Sequence, residues 1–159
     1  TYGDWSSDVC SSDLDPSAFI YANVPRVLWI TGEKFLGGSV GLEALLPVQY
    51  TSLEAGPFDD STFGLGDFFA EGTLSWHQPQ TDFSLAYGLW MPTGNSSPNL
   101  STEPGLGYWT HMLTAGATWY PDKDKKWSLS LLNRYEFNHE KADTSITPGQ
   151  AWTLEWGAG

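Results

Sequence analysis

From residue 39 onward one pattern recurs: apolar residues at every second position, with polar or small residues between them. Successive side chains of a strand point to opposite faces, so a chain patterned this way folds into strands with one apolar face, and a helical period does not fit it. In 68–78, Phe68, Ala70, Gly72, Leu74 and Trp76 share a face opposite Glu71, Thr73, Ser75 and His77. In 39–50, Val40, Leu42, Ala44, Leu46, Val48 and Tyr50 oppose Ser39, Glu43, Pro47 and Gln49. In 83–91, Phe83, Leu85, Tyr87, Leu89 and Met91 oppose mostly small residues. In 127–138, Trp127, Leu129, Leu131, Tyr135 and Phe137 oppose Ser128, Ser130, Arg134, Glu136 and Asn138. The period returns in 111–119, through His111, Leu113, Ala115, Ala117 and Trp119, and in 152–158, through Trp152, Leu154, Trp156 and Ala158. Segment 18–31 is extended but apolar on both sides, and its faces stay open.

The rest of the composition agrees. At 40% hydrophobic and 15% aromatic residues against 16% charged, the chain is too apolar for disorder. No run reaches the ~18 apolar residues of a spanning helix. A formal charge of -12 over 159 residues repels phosphate and argues against nucleic-acid binding. With 17 Gly and 10 Pro serving turns, the class is all-β.

The connections alternate. The links at Gly32–Phe35, 78–82 and 121–126 are short, whereas 51–66, 93–109 and 139–150 are long. An up-and-down transmembrane barrel has this form, with tight turns at one end and extended loops at the other, and its strands have the ~9–11 residues of most segments here. Aromatics stand where strands meet connections: Trp76, Tyr108, Trp109, Tyr120 and Trp127. In a barrel these form interfacial girdles, and in a soluble β-sandwich they are core. The polar face distinguishes the two, because Glu43, Glu71, His77, Arg134, Glu136 and Glu155 would line a wet lumen, a candidate solute path. Arg134 is the one basic residue assigned to that face, and it is expected to pair with Glu136 or Glu155.

Residues 4–14, DWSSDVCSSDL, read as the in-frame translation of a sequencing-library adapter. On that reading 1–14 is an artefactual or disordered leader, and Cys10, the single cysteine, carries no redox meaning. Without Asp4, Asp8 and Asp13 the charge is still -9. Residues 15–159 are then expected to be part of one barrel domain, truncated at both ends, with about seven strands visible.

Several motifs carry a family resemblance: GLGDFFAEGTLSWH (64–77), AYGLWMPTG (86–94), GLGYWTHML (105–113), YPD (120–122), RYEFN (134–138), and TSITPGQ followed by LEWG within 144–157. In order and spacing they resemble the outer-membrane family of the meta-pathway of phenol degradation, across nearly all of 18–159. The resemblance implies an outer-membrane β-barrel that passes hydrophobic compounds, in members generally longer than this chain.

Enzyme signals are weak. Gly37-Gly38-Ser39-Val40-Gly41 matches G-x-S-x-G, but an alternating strand follows where a nucleophile elbow needs a helix. His139-Glu140 has Asp143 where H-E-x-x-H requires its second His, so no metal site and no cofactor are implied. Asp59, Asp60 and Glu103 read as solvated acidic loop residues, with divalent bridging to lipopolysaccharide the other reading. The sequence therefore points to a passive outer-membrane channel for small hydrophobic or aromatic compounds, bordered by lipid and lipopolysaccharide. The alternatives are a structural barrel without transport and a soluble β-sandwich binding module.

Overall fold

The computed structural model describes residues 17–55, 58–96, 103–142 and 144–159. The adapter-like segment 4–14 lies outside them. The described residues form ten antiparallel strands and no helix: β1 (Ser17–Asn23), β2 (Arg26–Phe35), β3 (Gly38–Leu45), β4 (Val48–Ala55), β5 (Phe58–Leu65), β6 (Phe68–His77), β7 (Thr81–Met91), β8 (Thr110–Trp119), β9 (Leu129–Asn138) and β10 (Ala151–Ala158). A seven-stranded sheet runs β10-β9-β8-β7-β6-β3-β2, and a three-stranded sheet runs β1-β4-β5. Neighbours in the large sheet are mostly consecutive in the chain, the up-and-down arrangement expected. The sheet does not close on itself among the described residues.

The small sheet prolongs three strands of the large one. Register runs without a slip from Arg26↔Leu45 in β2–β3 to Asn23↔Val48 in β1–β4. Between β3–β6 (Leu45↔Phe69) and β4–β5 (Val48↔Leu65) it slips by one residue, a bulge at Gly66–Asp67. The break crosses all three paths at Pro25, Pro47 and Asp67. The two prolines lack the N–H that a ladder needs, so regular pairing stops there. Carbonyls still serve, because Leu46 N donates to Pro25 O at 3.2 Å and Gly66 N to Pro47 O at 2.8 Å.

This geometry corrects three expectations. The stretch 39–50 is two strands, the supposed loop 51–66 is the β4–β5 hairpin, and the two-sided segment 18–31 is β1 and β2, each at a sheet edge. Alternation read locally cannot see a break that neighbouring strands share. The first tight turn is also shifted: Gly32 belongs to β2 beside a register shift between Ile30 and Lys34, and the hairpin turns at Leu36 (φ 49) and Gly37 (φ 77). Positive φ at both central residues matches the right-handed twist of the flanking strands.

Facing register sorts the side chains. One row runs Leu74, Leu85, Ala115, Asn133 and Leu154; the next toward the tight turns runs Trp76, Phe83, Ala117, Leu131 and Trp156; the next toward the long loops runs Gly72, Tyr87, Leu113, Tyr135 and Trp152. Large apolar members of these rows are exposed, Leu85 at 54% and Leu154 at 50%. Beneath them, on the opposite face, Phe69 is 3% and Met112 7% exposed. The core thus sits on the face that the alternation reserved for polar residues, and the apolar face is open. The alternation is also inverted where Leu132 turns inward and Asn133 outward.

The 11 residues of β7 cover ~33 Å at ~3.3 Å per residue, and a tilt of ~45° reduces this to ~24 Å, the height of the apolar band of an outer-membrane barrel. Trp76, Trp119 and Trp156 lie on the open face toward the tight turns. Tyr87, His111 and His139 cluster toward the long loops, with Tyr87 Oη 2.5 Å from His111 Nδ1 and the two imidazole rings 4.9 Å apart. Both rims of the band therefore carry amphipathic rings.

An exposed apolar band of this kind is stable against lipid. Leu74→Arg, at mid-band, should cost about 2–4 kcal/mol of unfolding free energy in lipid, while Leu129→Arg, at the tight-turn rim, should cost about 0–1 kcal/mol. Urea titrations in liposomes give both values, and equal costs would contradict the depth assignment.

The turn between β8 and β9 supplies a pH test. Asp122 Oδ2 accepts from Lys126 N at 2.8 Å and Oδ1 from Trp127 N at 3.0 Å. The Lys126 amide foremost, joined by that of Trp127 and opposed by partial desolvation, holds the carboxyl below its ordinary value of 3.8. A carboxyl whose folded value is depressed stabilises the turn above its unfolded value, and that contribution is lost as pH falls through the folded value. The Lys126 and Trp127 amide resonances should titrate with a midpoint below 3.8; a midpoint at or above it would contradict the capping role.

Candidate functional site

The inward face is layered. Nearest the tight turns the register aligns His77, Asp82, Thr118, Ser130 and Gly157. Above them come Ser75, Ser84, Gly116, Leu132 and Glu155, then Thr73, Ala86, Thr114, Arg134 and Thr153. A fourth layer holds Glu43, Glu71, Gly88, Met112 and Glu136, and a fifth holds Leu45, Phe69, Trp90, Thr110 and Asn138. The face is polar toward the tight turns, charged in the middle, and apolar beneath the long loops.

All six residues singled out from the sequence, Glu43, Glu71, His77, Arg134, Glu136 and Glu155, stand on this face, but they do not form one cluster. His77 Nδ1 lies 3.0 Å from Asp82 Oδ1, and Asp82 Oδ2 accepts from Tyr120 Oη at 3.0 Å. Glu155 and His77 border the same 420 Å³ cavity together with Ser75, Ser84 and Ser130. Glu43 accepts from Arg26 Nη2 at 2.6 Å. Glu71 accepts from Thr73 Oγ1 at 3.2 Å and is within electrostatic reach of Glu43, Arg134 and Arg26.

Arg134 departs from expectation. Among the described residues the ion pairs are Arg26–Glu43, His77–Asp82 and Lys126–Asp124, and Arg134 is in none of them. Register explains this: Thr114 and Thr153 flank Arg134, while Glu155 stands opposite Leu132 and Glu136 opposite Met112 and Ala151. Both carboxylates are offset from Arg134 by one side-chain step. Arg134 Nε and Thr114 Oγ1 are buried with no hydrogen-bond partner, as is Glu103 Oε2 in the β7–β8 connection. Such groups cost about 1–3 kcal/mol each when left unpaired. Arg134 is also not the sole basic residue here, because Arg26 faces inward from β2, in the segment whose faces the sequence left open.

Sequence reasoning missed two further features. One is the apolar layer, in which Phe69 and Trp90 pack at 4.6 Å between ring centroids. A Cβ on Gly88 would stand 2.7 Å from Phe69 Cε2 and 3.1 Å from Met112 Cε, so glycine there lets the Phe69 ring lie across β7. The Phe68-Phe69 doublet is the signal, since alternation must send one ring inward.

The second is Asp67, 3% exposed at the bulge. Its Oδ1 accepts from Gly94 N at 3.0 Å and its Oδ2 from Leu106 N at 2.8 Å, so one carboxylate ties both ends of the β7–β8 connection to the wall. Asn95 completes the stitch: its N donates to Leu65 O at 2.9 Å and its Oδ1 accepts from Leu65 N at 3.1 Å, in place of a strand beside β5. A Cβ on Gly94 would fall 2.6 Å from Gly66 C, which accounts for glycine at this crossing. The G-x-S-x-G match resolves differently, with Gly37 in the hairpin turn and Ser39 within β3.

Residues 10–159 match the family described as "Putative MetA-pathway of phenol degradation". The chain belongs to this family. Among solved structures it is similar to an outer membrane channel from Pseudomonas putida F1, with 20% sequence identity over 89% of this chain and 53% of that one, at a TM-score of 0.69. The chain thus spans about half the length of that channel. None of the curated proteins compared with it matches. The fold of this family member is that of the wall of an outer-membrane channel barrel.

Asp67→Asn keeps the shape of the side chain but replaces one acceptor with an amide that cannot accept from a backbone N–H. Hydrogen exchange at Gly94 and Leu106 should accelerate by about tenfold or more, as expected for losing a charge-assisted bond of about 1.5–3 kcal/mol, while exchange within β8 stays unchanged. Unchanged exchange at both amides would show that the connection does not depend on Asp67.

Proposed function

We propose that the chain forms part of the wall of an outer-membrane channel for the passive uptake of small hydrophobic or aromatic compounds. The observation that carries this reading is the layered inward face, where the apolar rings of Phe69 and Trp90 lie directly against a charged layer that also holds Met112. A lumen of polar residues alone suits hydrophilic solutes, and a wholly apolar one would hold its cargo; adjacent layers offer weak sites of both kinds, which passage requires. Glu43, Glu71, His77, Arg134, Glu136 and Glu155 line the path in this reading. Arg26 cancels Glu43, leaving Glu71, Asp82, Glu136 and Glu155 against Arg134 and Lys34, and such a net acidic lining disfavours anions.

The lipopolysaccharide leaflet slows free diffusion of hydrophobic compounds, so intact cells provide the test. Cells expressing the full-length protein should accumulate labelled toluene faster than cells lacking it. Equal rates, with the barrel shown to be folded in the outer membrane, would favour a structural barrel without transport.

A further inference from the structure

The outward face carries one polar anomaly. Asn133 lies in the mid-band row with Leu74, Leu85, Ala115 and Leu154, and every other member of that row and of the two beside it is apolar, aromatic or glycine. Among the described residues its carboxamide has no hydrogen-bond partner. A carboxamide facing hydrocarbon gives up water at both its N–H₂ and its carbonyl, so a polar side chain at this depth is costly unless something outside the wall pairs with it.

The surface around Asn133 is shaped to admit a neighbour. Two hollows of about 600 and 380 Å³ open on this face and meet at Leu85, Ala115 and Asn133. Gly72, Ala115 and Ala117 leave the sheet bare at their floors, while Leu85 and Leu113 stand exposed beside them as ridges. Lipid fills such hollows but does not serve the amide, because an acyl chain at mid-band has neither donor nor acceptor.

A second copy of the chain does both. A primary carboxamide is complementary to itself, since two of them exchange a pair of N–H···O bonds. Two copies inserted in the same direction are related by a two-fold axis along the membrane normal, and residues near that axis meet their mates at their own depth. Asn133 then meets Asn133, and each copy offers both a ridge and a hollow, as an isologous contact requires. Small residues that let backbones approach and a polar side chain that bonds across are the two features that hold proteins together within a bilayer.

We infer that this face is a contact between two copies of the chain within the membrane, centred on Asn133 and seated over Ala115. The contact is independent of which solute the channel passes. It also gives the inverted step at Leu132 and Asn133 a reason, because the polar residue turned outward is the one that finds its partner there.

Asn133→Cys in the full-length, otherwise cysteine-free protein should form a disulfide-linked dimer when outer membranes are mildly oxidised. Val40→Cys, at the same depth and on the same face but four strands along the sheet, should not. Single-molecule photobleaching in lipid bilayers gives the dimer dissociation constant, which should rise about tenfold in Asn133→Leu, as expected for losing two hydrogen bonds between chains in a bilayer. Leucine suits hydrocarbon, so this variant keeps its fold. Ala115→Phe fills the hollow from outside and should separate the copies at least as far. A wild-type protein that stays single at every density, an unchanged constant in Asn133→Leu, or equal cross-linking at 133 and 40 would overturn the contact. A cross-link from 133 to a different protein alone would also overturn it, by giving the face to a foreign partner.

Discussion

In hydrocarbon no water is present to satisfy a backbone N–H or C=O, so each must find its partner within the protein. The fold follows from that constraint. Between the Trp76 rim and the Tyr87–His111 rim, β7, β8 and β9 pair residue for residue without a slip. The break at Pro25, Pro47 and Asp67 lies beyond Phe68↔Met91, the last pair of the β6–β7 ladder, where the ladder leaves the apolar band. There prolines are tolerated, a bulge is tolerated, and side-chain oxygens of Asp67 and Asn95 take over backbone donors that no strand serves. Regular pairing inside the band and improvised pairing outside it are two responses to the same requirement.

That division explains how much was legible in the sequence. Alternation with period two is the direct trace of a strand with one face in lipid, and it located the paired core of β6 to β10 and the facing of Glu71, His77, Arg134, Glu136 and Glu155. Outside the band, neither face is forced to be apolar, so β1, β4 and β5 left no such trace, and β2, at the edge of the large sheet with the apolar run Val27-Leu28-Trp29-Ile30, was read with β1 as one two-sided segment. Arg26 was missed with them. Asp67 was missed because its role is long-range: its partners Gly94 and Leu106 lie 27 and 39 residues away. The Arg134 pairing failed for a related reason. Composition places acids and a base on one face, but the register decides which of them meet, and here it set threonines beside the arginine.

The inward face inverts the usual relation of core and surface. Its most buried apolar residues, Phe69 and Met112, lie among carboxylates and hydroxyls, while leucines and tryptophans of the opposite face are open. In a water-soluble sheet this arrangement would expose a large apolar patch. Against lipid it is the stable one, and it leaves the interior free to hold mixed polar and apolar layers, the property on which the channel reading depends. Stability and function are thus assigned to opposite faces of the same strands.

The most direct test of this assignment is a nitroxide scan of β8, one label at each position from Thr110 to Trp119 in the full-length protein in lipid. Collision rates with oxygen, which concentrates in hydrocarbon, should be high at 111, 113, 115 and 117 and low at 112, 114 and 116, with the opposite phase for a water-soluble nickel reagent. Nickel accessibility at Leu113, Ala115 and Ala117 equal to that at the intervening positions would contradict the account, because it would put water on the face assigned to lipid.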